Sequence, residues 1–483
     1  MKDLGDTTDA EIDQHLLAGD PMTLRAVVYQ LTGDRAILAT SPGEVPGMFG
    51  PVKALTDPND VHLVRSAAAA YLRAHRDREA PLGDHGSPDR LATSLELAVG
   101  DEIPQPALEF CVEELAIEPI PRRYELQHAP DGVGDFHVVV IGSGVGGINA
   151  AINLKESGIP FTVLDKNSDV GGTWHDNRYP GCRVDIASRA YSHTFGLHYP
   201  WSHWFAPQSE NNGYLQWCVD TFNVRDHIRF DTEVTSLAWD DNSARWTVAY
   251  KDADGQPGTM TANVVISAVG FLSRPKFPAI EGMDTFTGPS FHTAWWDQDL
   301  DPKGKHFGVI GTGCSGMQLV PELERMGATV TVFQRRPSWV FEVPIYRDEL
   351  PEGVKWLDRN LALFRNFEKF RAIWAVGDHV NATPFFKDPE WSDPDSLSAI
   401  NSRARQVSLN YLQRKLADRP DLLDASVPNS PAMASRPVID NGWLDAITGP
   451  NVELVTEPIA RIGSQGIVTA SSRTIEVDVI VYA

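Results

Sequence analysis

The chain has 483 residues, 42% hydrophobic and 22% charged, with a formal net charge of -23 at pH 7. That length suits roughly two or three domains with sizeable cores, and the ordinary apolar balance excludes wholesale disorder. The acidity argues against a nucleic-acid-binding surface, which needs clustered Lys and Arg. No apolar run approaches the ~20 residues a membrane span requires. The start, Met1-Lys2-Asp3-Leu4, lacks the apolar core of a signal peptide, so a cytoplasmic protein is expected.

Residues 1–125 read as a mostly helical N-terminal extension. Apolar residues recur at three-to-four spacing over 10–31 and 60–74, with Asp60 placed as an N-cap. Joints rich in Pro and Gly at 42–51 and 81–88 break the helices. No catalytic constellation falls here. Packing, or formation of a homodimer, is the expected role.

After the linker Asp131-Gly132-Val133-Gly134, residues 136–141 form an apolar run fit for a buried parallel strand. It ends in Gly142-Ser143-Gly144-Val145-Gly146-Gly147, which places Gly142, Gly144 and Gly147 in GxGxxG order. A helix over 150–157 and a strand over 161–164 follow, and the strand ends in Asp165. Gly142 allows the tight turn, Gly144 lets backbone approach a pyrophosphate, and Gly147 permits close helix–strand packing. Asp165 stands about 20 residues on, where an acid binds ribose hydroxyls. The whole unit predicts a dinucleotide site.

In Gly171-Gly172-Thr173-Trp174, the glycines would let the chain pass a cofactor beside the aromatic wall of Trp174. Residues 228–249 read as alternating strands with Trp239 and Trp246 in the core, and 264–270 as a buried strand ending in small residues. A second nucleotide unit opens at Gly311-Thr312-Gly313-Cys314-Ser315-Gly316, with a helix over 317–326 and a strand over 329–333. This strand ends not in an acid but in Gln334-Arg335-Arg336. Guanidinium forks bind a 2′-phosphate that an acid would repel, so NADPH is preferred over NADH. Residues 347–429 form a helical insertion whose aromatics (Trp356, Phe364, Phe367, Phe370, Trp374) at helical spacing read as core.

Three stretches together resemble the Baeyer–Villiger monooxygenases. Phe286, Gly288, His292, Trp296 and Asp297 fill every fixed place of the FxGxxxHxxxW(P/D) fingerprint, and residues 171–185 fill GGxWxxxxYPGxxxD. Ser435-Arg436-Pro437 falls where members usually read Lys-Arg-Pro. The flanking text is closest to the 4-hydroxyacetophenone monooxygenase branch, which carries a similar N-terminal extension. The resemblance implies an α/β fold with two Rossmann-like domains, for FAD and NADPH, and no metal. It divides the chain into an FAD-binding part at 130–278, a crossover at 279–300, an NADPH-binding part at 301–346 and 430–475, and a return toward the FAD domain at 476–483. That return breaks off in mid-strand, so the resemblance implies a C-terminally truncated chain.

The implied reaction uses dioxygen to turn a ketone, here an aryl ketone, into an ester. Arg436 would stabilise a flavin peroxide, with Asp185 paired to it near the flavin and His292 as a hinge. Thr173, Trp174, Asp185 and Tyr191 would border FAD. Gly311, Thr312, Gly313, Ser315, Gly316, Arg335 and Arg336 would hold NADPH. Ser435 replaces the lysine that helps hold the 2′-phosphate, leaving that charge to Arg335 and Arg336. Two other readings stand beside this one: a nitrogen- or sulfur-oxygenating flavin monooxygenase, and a truncated, non-catalytic nucleotide-binding subunit. The four cysteines, Cys111, Cys182, Cys218 and Cys314, form no CxxC or CxxxxC pair, which excludes a flavoprotein disulfide reductase and a zinc site.

Overall fold

The apolar run before the first glycine loop does become a buried strand, Val138–Ile141, with Val138, Val139 and Val140 fully inside. The computed structural model describes residues 3–47, 51–78, 85–120, 135–376 and 383–483. The 131–134 linker lies outside them. The chain forms two units, one from Met1–Pro121, Asp185–Phe205 and Ser338–Asp440, the other from Arg122–Val184, Ala206–Pro337 and Asn441–Ala483.

The second unit holds two all-parallel sheets. One has four strands in the order Ile228–Arg229, Phe161–Leu164, Val138–Ile141, Val264–Ser267. The other has five, in the order Ser290–His292, Val479–Tyr482, His306–Ile310, Thr329–Phe333, Val452–Val455. Parallel neighbours need crossover connections, and the helices Val145–Glu156 and Cys314–Arg325 supply the first one in each sheet. This is the expected α/β arrangement, built twice.

The repetition extends to individual atoms. His137 Nε2 lies 3.1 Å from Thr162 Oγ1, and His306 Nε2 lies 2.9 Å from Thr331 Oγ1. Each contact ties the entry of a first strand to its neighbour. Gly142 (φ +96°) and Gly311 (φ +122°) sit in the left-handed region, and a Cβ there would run into the carbonyl oxygen of Ala268 or Ala483, respectively. The strand arriving beside each turn leaves room only for glycine.

An antiparallel sheet of Glu233–Asp240, Arg245–Lys251 and Pro257–Ala262 covers the first parallel sheet, with Val248 and Ala262 packed against Val139 and Leu164. Strands do form in this stretch, but nearly every residue of Glu233–Asp240 is exposed and Trp239 is not core. It is 45% exposed, pairs across the ladder with Trp246 at 5.4 Å, and donates its Nε1–H to Asp241. Near a hairpin tip such a cross-strand aromatic pair stabilises the ladder without a core behind it.

In the first unit, Asp9–Leu16 packs with Glu352–Asn360, and Pro21–Thr32, Leu91–Val99 and Gln105–Glu114 pack with Phe364–Val376, while Pro58–Arg78 lies on Asp9–Leu16 and Pro21–Thr32. The apolar period over 10–31 carries two helices rather than one. Pro21 opens the second, and Asp20 caps it by accepting from Thr23 N–H at 2.9 Å. Asp60 is not the expected cap. Pro58 begins that helix, and the Asp60 carboxylate instead accepts from Ser41 N–H at 3.0 Å. Trp356, Phe364, Phe367 and Phe370 are buried core side chains, and His15 stacks on Trp356 at 4.6 Å.

Candidate active site

The Val145–Glu156 helix starts at Gly144 with no side-chain cap, so its first N–H groups stay free for an anion. Gly172, at φ +52°, backs onto this turn: a Cβ there would lie 2.9 Å from Gly144 Cα. Gly171 N–H donates to the Ser143 carbonyl at 3.1 Å. A Cβ on Gly147 would collide with the Gly142 carbonyl. The glycines therefore build one bare-backbone cradle. Thr173 is exposed and Trp174 buried in the Thr173–Asp176 turn beside it. Asn212 Oδ1, buried against Gly171, has no hydrogen-bond partner among the described residues, an acceptor that a ligand hydroxyl would satisfy.

Asp165 is buried and already engaged. Its Oδ2 accepts from Ser143 N–H at 2.5 Å and Ser143 Oγ at 2.6 Å, and its Oδ1 from Asn167 N–H at 2.8 Å. A carboxylate offers about four acceptor sites. Three of them shape the loop, which leaves one for a ribose hydroxyl.

The second loop repeats the design. Cys314–Arg325 starts at Gly313, again without a side-chain cap, and a Cβ on Gly313 would meet nothing within 4 Å. Gly316 lies tight against the Gly311 carbonyl. Thr312 Oγ1 donates to the Arg336 carbonyl at 3.2 Å, tying the loop to the end of Thr329–Phe333. Arg335 and Arg336 are exposed, and among the described residues neither is held in an ion pair. Two open guanidinium groups beside an uncapped helix start fit a phosphorylated dinucleotide.

Gln318 joins the two halves of this unit. Its Oε1 accepts from the Tyr179 hydroxyl at 2.8 Å, and its Nε2 donates to the Arg183 carbonyl at 3.0 Å. The Tyr179 hydroxyl also meets Ser315, and its burial pushes the phenol well above its usual range. A Cβ on Gly181 would come within 2.6 Å of the Gln318 carbonyl oxygen. The 179–183 loop thus rests directly on the second nucleotide helix. Sequence reasoning missed Gln318. Its signal is a polar residue on a buried helix face, between Met317 and Leu319.

In the first unit, Arg436 Nη2 lies 3.0 Å from both Asp185 Oδ1 and Oδ2. The contact is one nitrogen shared between two oxygens rather than a two-nitrogen fork. The arginine side chain is 60% exposed and the aspartate 21%. Such a pair is worth ~0–1 kcal/mol, so it breaks readily. Tyr191 lies half-buried on the turn that follows Asp185, its N–H bonded to the Ala187 carbonyl at 3.0 Å. Ser435 is exposed.

The fingerprint residues in the second unit each do a local job. Phe286 packs on a core of Phe333, Ile467, Ile480 and Tyr482. A Cβ on Gly288 would come within 2.5 Å of the Asp478 carbonyl. Trp296 lies between Phe291, edge-on at 5.4 Å, and Phe307, stacked at 6.3 Å. Asp297 starts a turn by accepting from Asp299 N–H at 3.0 Å. His292 ends the edge strand Ser290–His292, and its Nδ1 accepts from Ala294 N–H at 3.1 Å. Burial lowers its pKa, and because Nδ1 accepts, the neutral ring carries its proton on Nε2.

An uncharacterised monooxygenase of Sinorhizobium fredii is 33% identical over 486 residues, covering 98% of this chain and 71% of that protein. A Baeyer–Villiger monooxygenase of Streptomyces coelicolor is 35% identical over 346 residues, covering 71% of this chain. The chain belongs to the Baeyer–Villiger monooxygenase family. It spans 63% of the Streptomyces protein's length. A crystal structure of an OTEMO complex with FAD and NADP matches with a TM-score of 0.61 at 29% identity, covering 72% of this chain and 70% of that one.

A broader family model, pyridine nucleotide-disulphide oxidoreductase, matches residues 139–356. This Baeyer–Villiger chain does not carry the thiol chemistry in that name. All four cysteines are free, and burial pushes the Cys182 and Cys218 thiols up to about 12, far from the thiolate a redox pair needs. No helix among the described residues is long and apolar enough to cross a membrane, and no metal-binding cluster occurs among them.

Proposed function

We propose that this flavin- and NADPH-dependent monooxygenase inserts one oxygen atom of dioxygen beside the carbonyl of an aryl ketone to give an ester. The observation that carries the proposal is the Arg436–Asp185 ion pair, formed by motifs 251 residues apart. A nitrogen- or sulfur-oxygenating enzyme has no need of that charge.

FAD, held at the first glycine loop, would supply hydride acceptance from NADPH and activation of dioxygen when bound. The chain's own residues bind, orient and neutralise. The cradle of Gly142, Gly144, Gly147 and Gly172 holds the FAD pyrophosphate at a helix N-terminus. Gly311 to Gly316 do the same for NADPH, and Arg335 and Arg336 grip its 2′-phosphate. Arg436 supplies a fixed positive charge where negative charge grows on the ketone oxygen. Asp185 parks that guanidinium, and the weakness of the exposed pair lets Arg436 exchange partners during the cycle. His292 acts through the backbone as a hinge cap, since its Nδ1 is committed to Ala294 N–H. The text around Ser435 to Trp443, with the N-terminal helices, supports placement near the 4-hydroxyacetophenone branch.

The test is purified protein reconstituted with FAD, reduced by NADPH without air, then given air and 4-hydroxyacetophenone. Bleaching of the flavin followed by ester product is expected. Arg436→Ala should still bleach but give no ester. Sulfoxidation of a thioether with no ester would move the chain to the rival class. Protein that cannot take up FAD would return it to a non-catalytic nucleotide-binding subunit.

A further inference from the structure

Four residues after Asp185, within the Ala187–Tyr191 turn, Arg189 points into a buried charge cluster. Arg189 is 5% exposed and carries no role in the chemistry described above. Its Nη2 lies 2.8 Å from Asp358 Oδ2, on Glu352–Asn360, and its Nη1 lies 3.2 Å from Glu368 Oε2, on Phe364–Val376. Glu368 continues the chain of contacts, its Oε1 accepting from Thr23 Oγ1 at 2.6 Å, on Pro21–Thr32. The Arg189 guanidinium also faces the Trp204 ring at 5.9 Å. The turn itself is closed by Ala190 N–H and Tyr191 N–H on the Ala187 carbonyl, and Ser188 N–H bonds the Trp204 carbonyl at 2.8 Å.

A hydrophobic side chain at 189 would bury as well. What it would lack is a rigid fork that sets direction as well as depth. Buried ion pairs are poor sources of net stability, and their best-attested use is to fix one arrangement among several. The turn held in this way runs from Ala187 to Tyr191 and starts two residues after Asp185.

We propose that Arg189 is a positioning residue that sets the Asp185 carboxylate for Arg436, and that the N-terminal helices, through Thr23 and Glu368, belong to the active-site apparatus. This rests on the Baeyer–Villiger reading, which it deepens. Through this path the N-terminal helices act on the chemistry without touching it.

Two measurements on the FAD-loaded full chain test it. The first is hydrogen exchange at the 185–192 amides in wild type, Arg189→Met, Arg189→Lys and Arg189→Met/Asp358→Asn/Glu368→Gln, in which all three members of the cluster are uncharged. Exchange at least about tenfold faster in both Met variants, with partial rescue by Lys, is expected. Unchanged exchange in the triple variant overturns the proposal. The second is ester formed per NADPH in a double-mutant cycle of Arg189→Met with Asp185→Asn. Each single change should lower the ratio about tenfold, and the double should fall no further. Independent, multiplying losses overturn the proposal, because they put Arg189 outside the Asp185 path. If wild type oxygenates no ketone, the proposed reaction fails while the exchange measurement still decides whether Arg189 holds the turn.

Discussion

Arg335 and Arg336 offer the sharpest test of nucleotide choice. Both are exposed and unpaired among the described residues, so replacing either by Ala removes charge without opening a hole in the core. A 2′-phosphate carries a charge of about -2, and at ~4 Å in a water-like medium its attraction to one guanidinium is about 2 kcal/mol. That corresponds to roughly a 30-fold change in affinity for each arginine. The NADPH dissociation constant should therefore rise roughly 30-fold in Arg335→Ala or Arg336→Ala. The NADH constant, lacking that phosphate, should move less than about threefold. At ~1 M salt the Debye length shrinks to about 3 Å, and most of the difference should vanish. Anaerobic flavin reduction at varied NADPH and NADH, at low and high salt, measures all of this. A parallel loss of both nucleotides, or a salt-independent loss, would show that the arginines serve the fold rather than the phosphate.

Two further outcomes follow from other contacts. Gln318→Leu strands the Arg183 carbonyl, while the Tyr179 hydroxyl keeps Ser315, and should destabilise the protein by about 1–3 kcal/mol in urea unfolding. Gln318→Glu, which keeps the acceptor for Tyr179 but not the donor to Arg183, should lose a similar amount. His193 is held near a pKa of about 4, against its ordinary 6.5, by burial and then by Lys369. The unfolded chain therefore takes the proton first. His193's contribution is complete above pH 6.5 and is lost as pH falls toward 4, on the order of 3 kcal/mol. His193→Phe should flatten the fall in urea midpoint across that window, and an unchanged slope would rule the histidine out as its source.

The legible parts of this molecule are those where a local constraint dictates a residue type. Gly142, Gly147, Gly311 and Gly316 occupy turns or contacts that exclude a Cβ, so their spacing shows in the chain alone. The arginines ending the second nucleotide strand are equally local. The Asp185–Arg436 pair is different. Nothing near either residue announces the other, and only the family motifs linked them. Gln318, Arg189 and Glu368 escaped because their partners come from distant segments and no periodic pattern encodes a hydrogen bond. Asp60 went wrong for a narrower reason: Pro58 sets the helix start, and an acid in the first turn looks much like a cap. Trp239 went wrong because an alternating strand does not reveal where its sheet outruns the core beneath it.

The doubled nucleotide scaffold gives the chain a built-in control. His137 with Thr162 and His306 with Thr331 are the same contact made once in each half, as are Gly142 against Ala268 and Gly311 against Ala483. A methyl group introduced at either glycine meets the same kind of obstacle, but more tightly at Gly311, where it would lie 2.1 Å from the facing carbonyl oxygen against 2.7 Å at Gly142. Gly311→Ala should therefore cost more stability than Gly142→Ala, and any further difference in flavin against nicotinamide nucleotide binding would tell which ligand each half serves.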